Sequence, residues 1–428
     1  MVNRNQSLHA ASLFPLITLA LVVLVFVLYW PSLAAAGGTY IVNTTADTDD
    51  GICDGTHCSL REAMNAANIA FGADTITFAL PPDATITLAG SQLPTITDTL
   101  TIDGSTAENL TISGNGFSRI FKVGCGTAVT ITTLILADGF GESGGAIYND
   151  GGFLNVRTST FLYNWAWEYQ GGGGAIANFG GTLNVNDSFF DTNVAGDMGG
   201  GVLNINGTAI IHDSTFSANS ANWNAAGGGV NPYGGAINNQ NGTLTISNST
   251  FSDNYCVGYH GGCFGGGIAN SGVLNLYNST LSDNTATAYP AAQGGGIFND
   301  TSGQLHISNT IIANSTGGDC ISITMSDSVN NLVEDGSCNS TFSGDPLLGP
   351  LQDNGGPTWT QAPLSISRAV DNGENDICAA PPVNNLDQRS ITRPFDGDGD
   401  GIALCDIGAY EYDGPPPLRS FLPLLLRK

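Results

Sequence analysis

Residues 234–254, GGAINNQNGTLTISNSTFSDN, decide the fold. Two phrases meet there. The first is a glycine pair, a small residue, an apolar residue, any residue and an asparagine. It recurs with its apolar position at Ile147, Ile176, Val202, Ile237, Ile268 and Ile297, and with its asparagine at Asn149, Asn178, Asn204, Asn239, Asn270 and Asn299. The second phrase, L-x-(I/V)-x-Asx-S-T-F-x-x-N, follows each time. It places Phe161, Phe190, Phe216, Phe251 and Leu281, then Asn164, Asn193, Asn219, Asn254 and Asn284. The repeat length runs from 26 to 35 residues.

Side chains alternate faces along a strand, so Leu244 and Ile246 point one way while Thr243 and Thr245 point the other. Strands this short cannot bury an apolar face alone. Stacking one coil on the next pairs the backbone and aligns like residues. Ile147 and Asn149 share a face, so the asparagines are expected to point inward and satisfy one another as a ladder. The glycines fit turns of positive φ or close approach between coils. The expectation is an all-β, single-stranded, right-handed parallel β-helix; a sandwich with coincidental repeats is the alternative.

Outward from the repeats, residues 75–344 read as the solenoid, its earlier coils marked by Thr75-Ile76-Thr77-Phe78 and Leu100-Thr101-Ile102. A solenoid end exposes strand edges and needs a cap. Residues 37–74 supply one: Ser59 and Glu62 form a capping box before an amphipathic run with Leu60, Ala63, Met64 and Ala67. Residues 345–413, rich in Pro, Gly and Asp, are expected to close the other end. The tail 414–428 carries three prolines, an apolar stretch and a basic end, and reads as an attachment tag or a frayed end. Residues 1–36 combine Arg4, an apolar run from Leu13 to Trp30, Pro31 and Ala34-Ala35-Ala36. That is a cleaved signal peptide or an uncleaved transmembrane helix serving as anchor, and either places the remainder outside the cytoplasm. Any membrane contact is expected through this segment or the tail alone.

Eight of nine cysteines fall into sequence-local pairs: Cys53 with Cys58, Cys256 with Cys263, Cys320 with Cys338, and Cys378 with Cys405. In an exported chain disulfides are the default, and no C-x-x-C pair supports a zinc site. Cys125 is left over and reads as a buried thiol in an apolar strand. The formal charge of −26 rests on 37 acidic residues against 11 Lys and Arg. Such a surface repels phosphate backbones, so no nucleic-acid partner is expected.

At this point the chain resembles known families. Cys58 to Ala63 spell CSLREA, the signature of an amino-terminal domain of exported bacterial β-helix proteins. The GGAI-like and F-x-x-N phrases resemble polymorphic outer-membrane-protein repeats. DNGGPT from Asp353, DQRSITRP at 387–394 and CDIGAYEY at 405–412 are similar to the choice-of-anchor Q domain, with Ile366-Ser367-Arg368-Ala369 and Ser390 departing from its pattern. The resemblance implies an extracellular or cell-surface protein and no settled activity.

A β-helix lyase needs an Arg or Lys base, yet Arg157 is the only such cation between residues 144 and 320, and it sits outward between Val156 and Thr158. A glycoside hydrolase needs two acids of separated pKa. Asp253 and Asp283 occupy one place in successive coils but belong to a solvated S-D-N turn. Recognition is better served by the variable loops, which carry Trp165, Trp167 and Tyr169, then Trp223 and Tyr233, then Tyr255, Tyr259 and Phe264, then Tyr289. Exposed aromatic faces suit sugar rings or a protein partner; the alternative is that they cover one another. Asp396, Asp398 and Asp400 with Gly401 resemble the start of a calcium loop, whose twelfth position is Ile407 rather than Glu. The function expected is adhesion or extracellular structure with glycan or cell-surface contacts. A β-helix lyase or hydrolase, or a purely structural spacer, are the alternatives.

Overall fold

A computed structural model of the protein describes residues 37–167, 171–223, 231–258, 261–289 and 291–414. The chain winds as a right-handed parallel β-helix. Its first sheet stacks eleven parallel strands, from Thr39–Val42 through Phe153–Arg157 and Thr243–Ser247 to Met325–Val329. The second stacks eight, from Phe121–Val123 through Ile237–Gln240 to Cys320–Ser322. The third stacks ten, from Thr85–Thr87 through Thr250–Ser252 to Leu332–Val333. Thr39–Val42 already pairs with Asp74–Phe78, so the solenoid begins inside the segment assigned to the cap.

The expected files are present. Ile147, Ile176, Val202, Ile237, Ile268 and Ile297 stack in register, fully buried. Two residues on, each asparagine donates through Nδ2 to the Oδ1 of the next. The distances are 2.6 Å from Asn149 to Asn178, 2.7 Å to Asn204, 2.8 Å to Asn239, 2.7 Å to Asn270 and 2.6 Å to Asn299. A second ladder joins Asn164, Asn193, Asn219, Asn254 and Asn284 at 2.9 Å per step. In the third sheet the rings of Phe161, Phe190, Phe216 and Phe251 lie nearly parallel, with centroids 4.5, 4.4 and 4.8 Å apart. Buried amides cost free energy unless bonded, and one ladder partner per coil meets that demand throughout.

The glycine pair has two separate jobs. Gly234 adopts φ +69°, and a Cβ there would lie 2.0 Å from the Ile237 carbonyl oxygen. At Gly235 a Cβ would come 2.1 Å from the Gly266 carbonyl of the next coil. The first glycine turns the chain; the second lets coils touch.

The amino-terminal cap is the helix Leu60–Ile69. Ser59 Oγ accepts from the Glu62 amide and Glu62 Oε2 accepts from the Ser59 amide, closing the capping box with both residues buried. Arg61 makes a two-pronged contact with Asp47 at 2.8 Å, Leu60, Ala63, Met64 and Ala67 pack inward, and Cys58 is bonded to Cys53. The letters of CSLREA are thereby accounted for by packing, capping and cross-linking. The other three disulfides pair as expected. Cys125 differs: it is exposed, in the turn between Phe121–Val123 and Ala128–Thr132. The apolar pattern around it belongs to those flanking strands.

At the far end, Phe342 pairs with Leu332 and the Cys320–Cys338 bond fixes the last coil. The segment 345–413 does more than close that end. It runs back over the outer face of the third sheet. Gln388 Nε2 donates to Thr215 Oγ1 at 2.9 Å and its Oε1 accepts from Thr250 Oγ1 at 2.6 Å. Thr358 Oγ1 donates to the Asp213 carbonyl, and the Ala409 amide donates to Thr280 Oγ1. Gly408 sits where a Cβ would meet Ile311 Cδ1 at 2.7 Å. Among the described residues no helix is long and apolar enough to cross a membrane; residues 1–36 and 415–428 lie outside them.

Candidate functional site

The stretch expected to be a variable loop contains a fourth sheet. Its short strands are Phe140–Gly141, Trp165–Ala166, Val194–Ala195, Ser220–Trp223, Tyr255–Gly258 and Thr285–Ala288. Trp165 and Tyr255 therefore stand on strands, in one file with Phe140, Val194, Ser220 and Thr285. The aromatic group divides in two. Trp165 and Trp167 remain 50% and 49% exposed. Phe140 stacks parallel to Trp167 at 6.2 Å and meets Trp165 edge-on at 5.6 Å. These three rings form one exposed platform, whereas Tyr255 is separated from it by the intervening coils. Tyr233 and Phe264 instead stack on each other at 5.2 Å, and Phe264 packs on Phe298 at 4.7 Å. Tyr169, Tyr259 and the side chain of Trp223 lie outside the described residues.

Tyr233 and Phe298, both packed on Phe264, wall one side of a groove over the outer face of the second sheet. One part of it is a hollow of about 200 Å³ lined by Met198, Tyr233, Asn238, Gln240, Phe298 and Asp300, among others. It continues past Met198, Tyr233 and Gln240 to Asn206, Asn231 and Asn241. Among the described residues no lysine, arginine or histidine lines either part. Composition alone did not reveal this groove. A signal was nevertheless present in the register: Tyr148, Ala177, Leu203, Asn238, Ala269 and Phe298 share one outward file, and Asn238 is its single amide.

The acidic candidates are differently placed. Asp253 and Asp283 sit at exposed turns with φ +58° and +59°, where they accept from Ser252 and Ser282 at 3.0 and 2.7 Å. Arg157 is exposed on the first sheet. Of the calcium-loop residues, Asp396 and Asp398 converge with Asp371, not with Asp400. The Asp400 carboxylate turns back to accept from the Ile402 amide at 2.8 Å. Asp396 accepts from Gly399 and Gly401, and Asp371 from Asp398 and Leu404, so the turn satisfies its own carboxylates. Asp406 and Glu411, the acids nearest to Ile407 in the sequence, are committed elsewhere. Asp406 accepts from the Asp371 and Tyr412 amides, and Glu411 accepts from Phe395 and Asp406.

Those two acids belong to a buried ionic network that binds the two carboxy-terminal phrases together. Arg393, 1% exposed, donates to the Asp406 and Gly408 carbonyls at 2.9 Å and lies 3.5 Å from Glu411. Asp387 pairs with Arg389 and accepts from the Glu411 amide. Burial, reinforced by the neighbouring Glu411, pushes the Asp406 carboxyl up to about 8. Burial also raises Glu411. On the solenoid flank, burial followed by the nearby Asp213 raises Asp187, with His212 and Arg157 opposing.

No protein-family model matches the chain, and no protein of curated function matches it. Solved structures similar to it include the following two. Pectate lyase Pel9A aligns with TM-score 0.47 and 13% identity over 89% of this chain and 98% of its own. Jun a 1, the major allergen from cedar pollen, aligns with TM-score 0.40 and 12% identity over 84% and 90%. No residue role is carried over from either.

Proposed function

We propose that the protein is an exported, cell-surface or secreted scaffold that binds polysaccharide and serves adhesion or extracellular structure. The observation that carries this reading is the Phe140–Trp165–Trp167 platform, two tryptophans left half-exposed on a rigid strand edge. An exposed aromatic face costs solvation unless a ligand covers it, and the apolar face of a pyranose is a suitable cover. Export is supported by the four disulfides and by the similarity to CSLREA and choice-of-anchor Q proteins. The test is a broad glycan array with wild type and the double variant Trp165→Ala/Trp167→Ala. The wild type is expected to bind immobilised polysaccharide, and the variant to lose about tenfold in affinity while unfolding at the same temperature. A wild type that binds nothing on the array overturns the reading.

A second reading, glycan cleavage, has one observation in its favour. Burial, with Asp213 nearby, raises the Asp187 carboxyl, which is the direction a general acid needs. Release of reducing ends from a polysaccharide panel, abolished by Asp187→Asn, would promote it over simple binding.

A further inference from the structure

The groove over the second sheet presents a carboxamide to its solvent-filled space. Asn238 is only 5% exposed, yet its carboxamide makes no hydrogen bond to any described residue. It stacks between Leu203 and Ala269, in a file whose members from Ala177 to Phe298 are otherwise apolar. Its carboxamide atoms reach the water of the groove rather than being sealed from it, and the apolar neighbours show that this register accepts an apolar residue. Packing therefore does not demand an amide here, yet the position presents to the groove a group that can both donate and accept.

The surroundings define what would meet it. Tyr233, stacked on Phe264, offers an aromatic wall. Gln240, also without a side-chain hydrogen bond, faces the same hollow, as do Phe298 and Asp300. A hydroxyl-rich ring with one apolar face matches amides on one side and a tyrosine ring on the other. Acidic sugars are disfavoured because Asp197 and Asp300 line the groove and, among the described residues, no cation does. The groove also runs on past Asn206 and Asn241, which favours a chain over a single sugar.

We propose that the groove beside Tyr233 is a binding site for a neutral, linear oligosaccharide, with the Asn238 carboxamide pairing with ring hydroxyls. The inference deepens the polysaccharide-binding reading and rests on it, but it uses residues that the Trp165 platform does not share.

Titration calorimetry with cello-, manno- and xylo-oligosaccharides, and with oligogalacturonate as the acidic control, tests the site. The wild type is expected to bind at least one neutral series and not oligogalacturonate. Asn238→Leu should weaken that binding about tenfold or more while leaving the unfolding temperature of the free protein unchanged or higher. Should leucine lower that temperature, Asn238→Ala, which copies Ala177 and Ala269 in the same file, carries the test. Trp165→Ala/Trp167→Ala should keep the calorimetric binding. Full affinity in the Asn238 variants, a preference for oligogalacturonate, or no binding of any neutral series overturns the groove assignment. Array binding that is lost only with the tryptophans would leave the broader reading standing.

Discussion

The carboxamide of Asn178 donates to Asn204 Oδ1 at 2.7 Å, and Asn204 donates in turn to Asn239 at 2.8 Å. Each link is buried, so removing one residue orphans a donor on one side and an acceptor on the other. Asn204→Ala is expected to destabilise the solenoid by about 2–4 kcal/mol, from roughly 1–3 kcal/mol for each unpaired buried group. A shift in the urea unfolding midpoint measures it. No shift would mean that the ladder contributes nothing beyond filling space.

Phe216 tests the neighbouring column in a different way. It stacks between Phe190 and Phe251, but Leu136, Leu281 and Ile312 occupy the same register elsewhere in the sheet. Phe216→Ala should cost about 3–5 kcal/mol, because a packed core relaxes only partly around a void. Phe216→Leu should cost less than half as much, since the column already accepts that shape. Equal losses in the two variants would show that ring stacking, not volume, holds the column.

What the sequence made legible, and what it hid, follows from the range of each signal. The Ile147 and Asn149 files repeat once per coil and are read directly from spacing. The fourth sheet was hidden because strands as short as Trp165–Ala166 show no alternation, and the lengths between them vary. The role of Asp371 in the acidic turn was hidden because it lies far along the chain from Asp396 and Asp398. Cys125 misled because two apolar strands flank an exposed turn. Asn238 was visible only once the copies were set in register, as the single amide of its file.

Acidity should act on the carboxy-terminal segment in an unusual direction. Asp406, raised to about 8 chiefly by burial, keeps a proton when folded that the unfolded chain releases in the ordinary carboxylate range. The folded state therefore binds more protons between those limits, and stability falls as pH rises through them. Glu411, also raised, adds to the same slope. Calorimetric unfolding of this segment should show its highest midpoint near about pH 4 and a decline toward about pH 8. Asp406→Asn should flatten that decline. A midpoint that climbs with pH over this window would contradict the assignment.

Gln388 reaches from the carboxy-terminal segment to two coils of the solenoid at once. Its amide donates to Thr215 Oγ1 and to Thr358 Oγ1, both at 2.9 Å, while its carbonyl oxygen accepts from Thr250 at 2.6 Å. A threonine column on the third sheet thus reads as a landing strip, and Gln388 as the residue that fixes where the segment lands. Gln388→Leu fills the same space but strands the Thr250 hydroxyl and removes the donor shared by Thr215 and Thr358. A loss of about 2–3 kcal/mol in docking is expected. It should appear as faster proteolytic cutting within residues 345–413 while the coils around Phe216 stay protected. If the segment only closes the last coil, the substitution will leave the cutting rate unchanged, because Thr215 and Thr250 belong to earlier coils than the one bearing Leu332.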